Sequence, residues 1–290
     1  MLLYWAFLIG KTIARVMPLR VSYGIARLVG LATYALWTGG RRRSIENMRH
    51  VTGGDEHAAR YYARVSFENY LVYLVDFFRL LSTSREEMLA RIRSADWERV
   101  AEARRGRGAI VVTMHYGLWD FGATVLALHG IPISAIADRF PSDAVNDYVI
   151  AARGHLGMRI IAADRMGPGL IRALRNDDVV AILADIPAPT TGVRVTFFGD
   201  TISVPDGPAR IALRTGASVV AAMVTRVSRW SDEVAATAEE IDVLRTGDAD
   251  EDARVLMQSI FTRLEVAVRR DPAQWYIFRH LWLSDMHGGA

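Results

Sequence analysis

"GAIVVTMHYGLWDFG", residues 108 to 122, is the stretch on which the fold turns. The apolar run 108–114 is bounded by a glycine and followed by His115, which reads as a strand buried on both faces. The stretch 119–129 then reads as a helix. The same texture recurs in "IPISAIA" (131–137), "MRIIAA" (158–163), "VVAILAD" (179–185), "VRVTFFG" (193–199) and "SVVAAMVTRV" (218–227). Helical stretches at 142–155, 167–175 and 207–215 separate most of these runs. Apolar strands alternating with helices imply an α/β class with a mainly parallel central sheet flanked by helices. "VAATAEEIDV" (234–243) reads as a further strand, and residues 250–270 as a periodic helix stopped by Asp271-Pro272. Upstream, 55–82 reads as a helix apolar nearly all round, with short helices at 84–93 and 96–104.

Ligands of such sheets gather at the carboxyl ends of the strands. His115 follows the first strand, Asp185 ends "VVAILAD", and Asp138 with Arg139 follow "IPISAIA". Three strand ends thus bring polar groups to one edge. The short turn after His115 is expected to return Asp120 to within reach of the imidazole. A histidine accepts protons near neutral pH, and a carboxylate on its other ring nitrogen fixes the tautomer. The chain has no cysteine and no G-x-S-x-G elbow, so the pair has no protein nucleophile to serve. Its natural task is to activate a substrate hydroxyl or a water.

Other chemistries find less support. His129 and His155 lack a second ligand at metal spacing, so no metal site is expected. There is no P-loop, and "GRGAIV" and "GPG" lack dinucleotide-loop spacing. "EARRGRG" (102–108) has no aromatic array beside it and reads as a solvated loop, not a nucleic-acid contact. The net charge is +3, and Lys11 is the only lysine.

The first 43 residues are the compositional outlier. Apolar and aromatic residues there are interrupted by Lys11, Arg15, Arg20 and Arg27, and the segment ends in Arg41-Arg42-Arg43. The longest uncharged stretch, 28–40, is too short for a span of about 20 residues. The mixture suits helices lying in a membrane interface, the arginines reaching headgroups. The expected organisation is therefore a membrane-associating helical segment over 1–43 and a catalytic domain over 44–290, on the cytoplasmic face of the plasma membrane. The alternative is a pair of ordinary core helices.

"HYGLWD" (115–120) resembles the H-x4-[DE] motif of the bacterial lipid A biosynthesis acyltransferase family. That family includes the phosphatidylinositol mannoside acyltransferases. "FFGDTISVPDGPARIALRTGASVV" (197–220), "IAARGHLGM" (150–158) and "DPAQWYIFRHLW" (271–282) resemble further blocks of it, in the right order. The resemblance implies transfer of a fatty acyl chain from an acyl-CoA or acyl-carrier-protein thioester to a hydroxyl of a glycolipid or phospholipid. It implies His115 as the base, Asp120 as its orienting partner and Asp185 as a support for the base or the acceptor. Asp138 and Arg153 match polar positions near the substrate, Arg153 as a phosphate or thioester-oxygen contact. Against this, Arg153 also reads as a helix-surface arginine. Trp119, Phe121, Phe197 and Phe198 are expected as walls for the chain. Asp120 and Leu118 depart from the glutamate and asparagine usual in the lipid A enzymes, and "ADIPAP" departs from their "DQ". These departures favour a glycolipid other than lipid A. Two other functions share these residues: a thioesterase using the pair on water, and a non-catalytic lipid-binding protein.

Overall fold

The computed structural model describes residues 2–137, 142–155, 157–162 and 166–287. Four helices open the chain: α1 (Leu2–Val16), α2 (Leu19–Leu36), α3 (Thr38–Val51) and α4 (Glu56–Arg79). Then come α5 (Arg85–Ala90), β1 (Ile92–Ala95), α6 (Trp97–Ala103), β2 (Ala109–Thr113), α7 (Trp119–Leu128), β3 (Ile133–Ala137), α8 (Asp143–Gly154), β4 (Arg159–Ala162), α9 (Met166–Arg175) and β5 (Val179–Leu183). The last third holds β6 (Val193–Phe197), β7 (Asp200–Val204), α10 (Gly207–Thr215), β8 (Ser218–Arg226), β9 (Val234–Ile241), α11 (Ala249–Arg270) and α12 (Leu283–His287).

Seven strands form the central sheet in the order β1-β9-β8-β2-β5-β3-β4. The run from β8 to β4 is parallel, and β9 returns antiparallel to β8. Successive residues of β2 face opposite layers, as a pleat requires. Ile110 and Val112 join a core under α9, α10 and α11, while Ala109 and Val111 join one under α6 and α7.

Two expectations need correction. Residues 193–199 do not join the central sheet: β6 pairs with β7 in a separate antiparallel hairpin. Their pattern is short and ends at Phe198-Gly199, both at positive φ, and the chain turns straight back there. Residues 84–93 are not one helix. The capping box on Ser84 starts α5, but β1 follows and pairs with β9 at the sheet edge.

The N-terminal helices lie on α4. Gly30 lets α2 approach closely, since a Cβ there would sit 2.6 Å from the Glu68 Cα. The face that α2 turns inward is partly polar: Ser22, Tyr23, Ala26, Arg27 and Gly30 are buried. Tyr23 donates to Asp76 at 2.7 Å, and Asp76 also takes Arg226 from β8 and Arg91 at 2.6 Å. Arg27 is 5% exposed, lies against Glu68 and Asn69, and covers the Trp230 ring. Its expected reach to lipid headgroups is therefore wrong, because its charge is met inside. The outward face is mostly apolar, with Val21, Leu28, Leu31 and Leu36 exposed beside Arg20. Arg43 also turns in, donating to the Phe278 carbonyl at 2.9 Å, while Arg42 remains exposed. Among the described residues no helix is long and apolar enough to cross a membrane.

Candidate active site

The register of two parallel strands creates the site. Thr113, the last residue of β2, lies opposite Leu183, the last of β5. His115 and Asp185 each follow two residues later, so they leave the sheet side by side at the same edge. The Asp185 Oδ1 lies 2.9 Å from His115 Nδ1. A carboxylate only accepts, so Nδ1 carries the proton and Nε2 keeps its lone pair. Oδ2 accepts the His115 backbone N–H and the Trp275 indole N–H, each at 3.0 Å. Burial alone would push the imidazole toward neutrality. The charge and hydrogen bond of Asp185 outweigh it and hold the His115 pKa above its ordinary value. Burial raises Asp185 too, but His115 and the converging donors hold its carboxyl below its ordinary value.

The turn that presents the histidine is held from the C-terminal side. Tyr276 N–H donates to the His115 carbonyl at 2.8 Å, and Gly117 N–H to the Gln274 carbonyl at 2.8 Å. Leu118 N–H donates to the Val224 carbonyl at 3.0 Å. Gly117 has φ +55°, and a Cβ there would collide with the Val224 carbonyl, so this turn requires glycine. The Gln274 side chain pins the same segment to β8 through the backbone of Arg226. Sequence reasoning quoted Gln274 and Trp275 within the C-terminal block but gave them no place in the site. A buried indole beside a buried carboxylate was the signal, visible only once the segment is seen to return to the sheet edge.

Asp120 does not orient His115. No hydrogen bond joins them. Asp120 accepts from Arg153 Nε at 2.7 Å and from the Tyr73 hydroxyl at 2.5 Å. Gly117 and Leu118 tie the turn down, and Asp120 enters α7 facing α4 and α8. The same contact pairs the Arg153 charge with a buried carboxylate. Arg153 is therefore not a helix-surface arginine. Burial lowers the Arg153 pKa, and Asp120 more than restores it. Tyr73 was missed, although a tyrosine inside a buried helix needs a partner for its hydroxyl.

Trp119 lies between the two pairs. Its ring stacks on Tyr73 at 4.0 Å and meets the His115 ring edge-on at 5.3 Å. On its other side it lines a slot between the sheet and the helices α6 and α7. The slot is narrow, with a cavity volume of about 60 Å3. Gly122 and Ala123 on α7 and Thr113, Ala181, Ala222, Ala236 and Ala238 on the strands line it together with larger apolar residues such as Val111, Ile133 and Met223. Ala181 and Ala222 keep partial exposure on central strands, where larger side chains would fill the layer. Of the expected wall residues only Trp119 lines this slot. Phe198 packs on Phe197 and lies under Arg269 of α11, a different layer. Asp138 falls outside the described residues.

The family model for bacterial lipid A biosynthesis acyltransferases matches residues 1–284. The chain belongs to that family. It is 24% identical over 283 residues to a phosphatidylinositol mannoside acyltransferase of Mycolicibacterium smegmatis, covering 96% of this chain and 90% of that one. It is 26% identical over 293 residues to the protein of that name from Mycobacterium tuberculosis, covering 97% of this chain and 89% of the relative. His115, Asp120, Asp185 and the C-terminal clamp therefore lie within the stretch that matches a family of acyltransferases.

Proposed function

We propose that this acyltransferase moves a fatty acyl chain from an acyl-CoA or acyl-carrier-protein thioester to a hydroxyl of a glycosylated phospholipid or similar lipid. One observation carries the reading: an oriented His115–Asp185 pair, with no cysteine in the chain, lies beside an apolar slot bounded by Trp119. His115 Nε2 removes the proton of the acceptor hydroxyl. The oxygen attacks the thioester carbonyl, the C–S bond breaks, and the leaving thiolate takes the proton back from the imidazolium. Asp185 stabilises that imidazolium throughout. The acyl chain occupies the slot, where each buried methylene contributes about 0.8 kcal/mol. The acceptor class is carried over from the names of the mannoside acyltransferases.

The outward apolar face of α1 and α2 supports attachment to one leaflet without crossing it, on the cytoplasmic side where thioester carriers are made. A lipid acceptor would then reach His115 from the bilayer surface.

The test is thiol release from a long-chain acyl-CoA with and without lipid acceptor. Release should depend on the acceptor and fall about 10²- to 10⁴-fold in His115→Asn, whose amide nitrogen takes the place of Nδ1 and still donates to Asp185 but takes up no proton. Equal release without acceptor would make the protein a thioesterase using the same pair on water. Near-normal transfer by the folded variant would remove His115 from the mechanism.

A further inference from the structure

The segment that clamps His115 also carries a cation past it. Tyr276 N–H holds the His115 carbonyl at 2.8 Å, and three residues later stands Arg279, exposed to solvent. α3 fixes that stretch from behind. Asn47, fully buried, donates from Nδ2 to the Arg279 carbonyl at 2.8 Å. Arg43 Nε donates to the carbonyl of Phe278, the residue before, at 2.9 Å. The two arginines thus share one peptide group: Arg43 bonds its carbonyl, and Arg279 follows it. Among the described residues neither guanidinium is paired with a carboxylate. Glu46, the acidic residue of α3, faces Arg42 Nε at 3.8 Å and His280 Nδ1 at 3.4 Å instead. Burial and Asp185 dominate the His115 pKa, and Arg279 is the next charge to act on it, lowering it. The cation therefore lies within electrostatic reach of the reacting edge. On the other side, the Arg43 guanidinium lies over the exposed Trp37 ring, 5.7 Å from its centroid, and Leu36 beside that ring is exposed too. From the outward face of α2 to the base, the order is an apolar side chain, an indole, two unpaired arginines and the imidazole.

We propose that Arg43 and Arg279 form the site for the phosphodiester of the lipid acceptor, holding it between the outward face of α2 and His115. The inference rests on the acyl-transfer reading above. A guanidinium presents a planar fork of N–H donors that matches phosphate oxygens. A lipid whose tails stay in the leaflet then gives its phosphate to the arginines and a headgroup hydroxyl to Nε2. The apolar neighbours decide between the two phosphate-bearing substrates. Leu36 and Trp37 suit the tails of a lipid, and an exposed leucine offers nothing to the charged nucleotide end of an acyl-CoA.

The experiment measures binding of the full chain to neutral detergent micelles carrying either phosphatidylinositol or galactosyl diacylglycerol, which has sugar hydroxyls but no phosphate. The unaltered protein should favour the phospholipid about tenfold or more, the worth of one charge-assisted contact. Arg279→Gln should abolish that preference and leave the urea midpoint unchanged, since the side chain is exposed. Arg279→Lys keeps the net charge but not the fork, and should lose most of the preference. Arg43→Gln should lower it as well, and the Arg279 variants decide the matter if that protein fails to fold. Affinity for palmitoyl-CoA should be unchanged in all three. A preference that survives in folded Arg279→Gln, or in full in Arg279→Lys, would overturn the site. Lost palmitoyl-CoA affinity with unchanged phospholipid binding would put the phosphate on the donor and overturn the acceptor assignment. Thiol release that needs no acceptor would overturn the acyl-transfer reading itself, whatever the arginines bind.

Discussion

Asp185 grips His115 twice: Oδ1 faces the imidazole Nδ1 at 2.9 Å, and Oδ2 takes the same residue's backbone N–H at 3.0 Å. One carboxylate therefore fixes both where the histidine sits and which ring nitrogen holds the proton. The third donor, Trp275 Nε1, keeps the carboxylate from rotating away. All of this follows from β2 and β5 ending level with one another.

Asp185→Asn should be severe and diagnostic. Its oxygen can satisfy the backbone N–H and the indole, but its NH2 then faces Nδ1 and forces the proton onto Nε2. A histidine in the wrong tautomer costs roughly 10⁴ in kcat. The surviving activity should also change its pH dependence. The base acts only when deprotonated, and Asp185 holds its pKa above the ordinary value, so the rate rises with pH through that raised pKa. Without the carboxylate charge, the acidic limb of kcat/KM should move to lower pH. A limb that stays in place would mean that another group titrates.

Asp120 and Arg153 should behave as a buried pair and not as a base and its helper. Removing Asp120 alone strands the Arg153 charge inside, at a cost of about 3–5 kcal/mol. Removing both should cost much less than the two single changes added together. Urea denaturation of Asp120→Ala, Arg153→Ala and the double variant measures this coupling. Additive losses would show that the 2.7 Å contact carries no coupling energy.

The meeting of His115 and Asp185 was legible because strand ends follow from apolar runs, and parallel strands share their ligand edge. The partner of Asp120 was not, since four intervening residues leave its direction to Gly117 and to hydrogen bonds with a segment about 150 residues away. The slot was invisible for a different reason. Small residues on β2, β5, β8 and β9 open it among larger apolar ones, and no local pattern marks a missing side chain. Phe198 illustrates the converse, an aromatic beside a family motif that proved to pack against α11.

The Asp76 network should bind the N-terminal helices to the sheet energetically. Asp76 is buried with Tyr23 from α2, Arg91 and Arg226 around it. Asp76→Ala should cost about 3–5 kcal/mol and make α2 an early site of limited proteolysis. Burial raises the Asp76 carboxyl, but the two arginines win and hold it below its ordinary value. Its contribution is then complete at neutral pH and is lost only as the pH falls through that lowered pKa. Proteolysis that starts elsewhere first would separate the network from α2.

The final prediction concerns the bilayer. Leu28 is 70% and Leu36 83% exposed, on a helix that turns Arg27 inward and leaves Arg20 outside in its first turn. Such an inversion is costly in water and favourable against lipid, where apolar side chains bury and Arg15, Arg20 and Arg42 at the rim meet anionic headgroups at roughly 1 kcal/mol each. Deleting residues 1–43 would strand Asp76 and Glu68, so point changes are the cleaner test. The double change Leu28→Asp and Leu36→Asp alters only the outward face and should leave the urea midpoint unchanged. In flotation with anionic vesicles the unaltered chain should rise with the lipid and lose part of that binding in high salt. The doubly altered chain should stay at the bottom at any salt concentration, while its thiol release from detergent-solubilised substrates remains normal. Equal flotation of the two proteins would place the membrane contact on another surface.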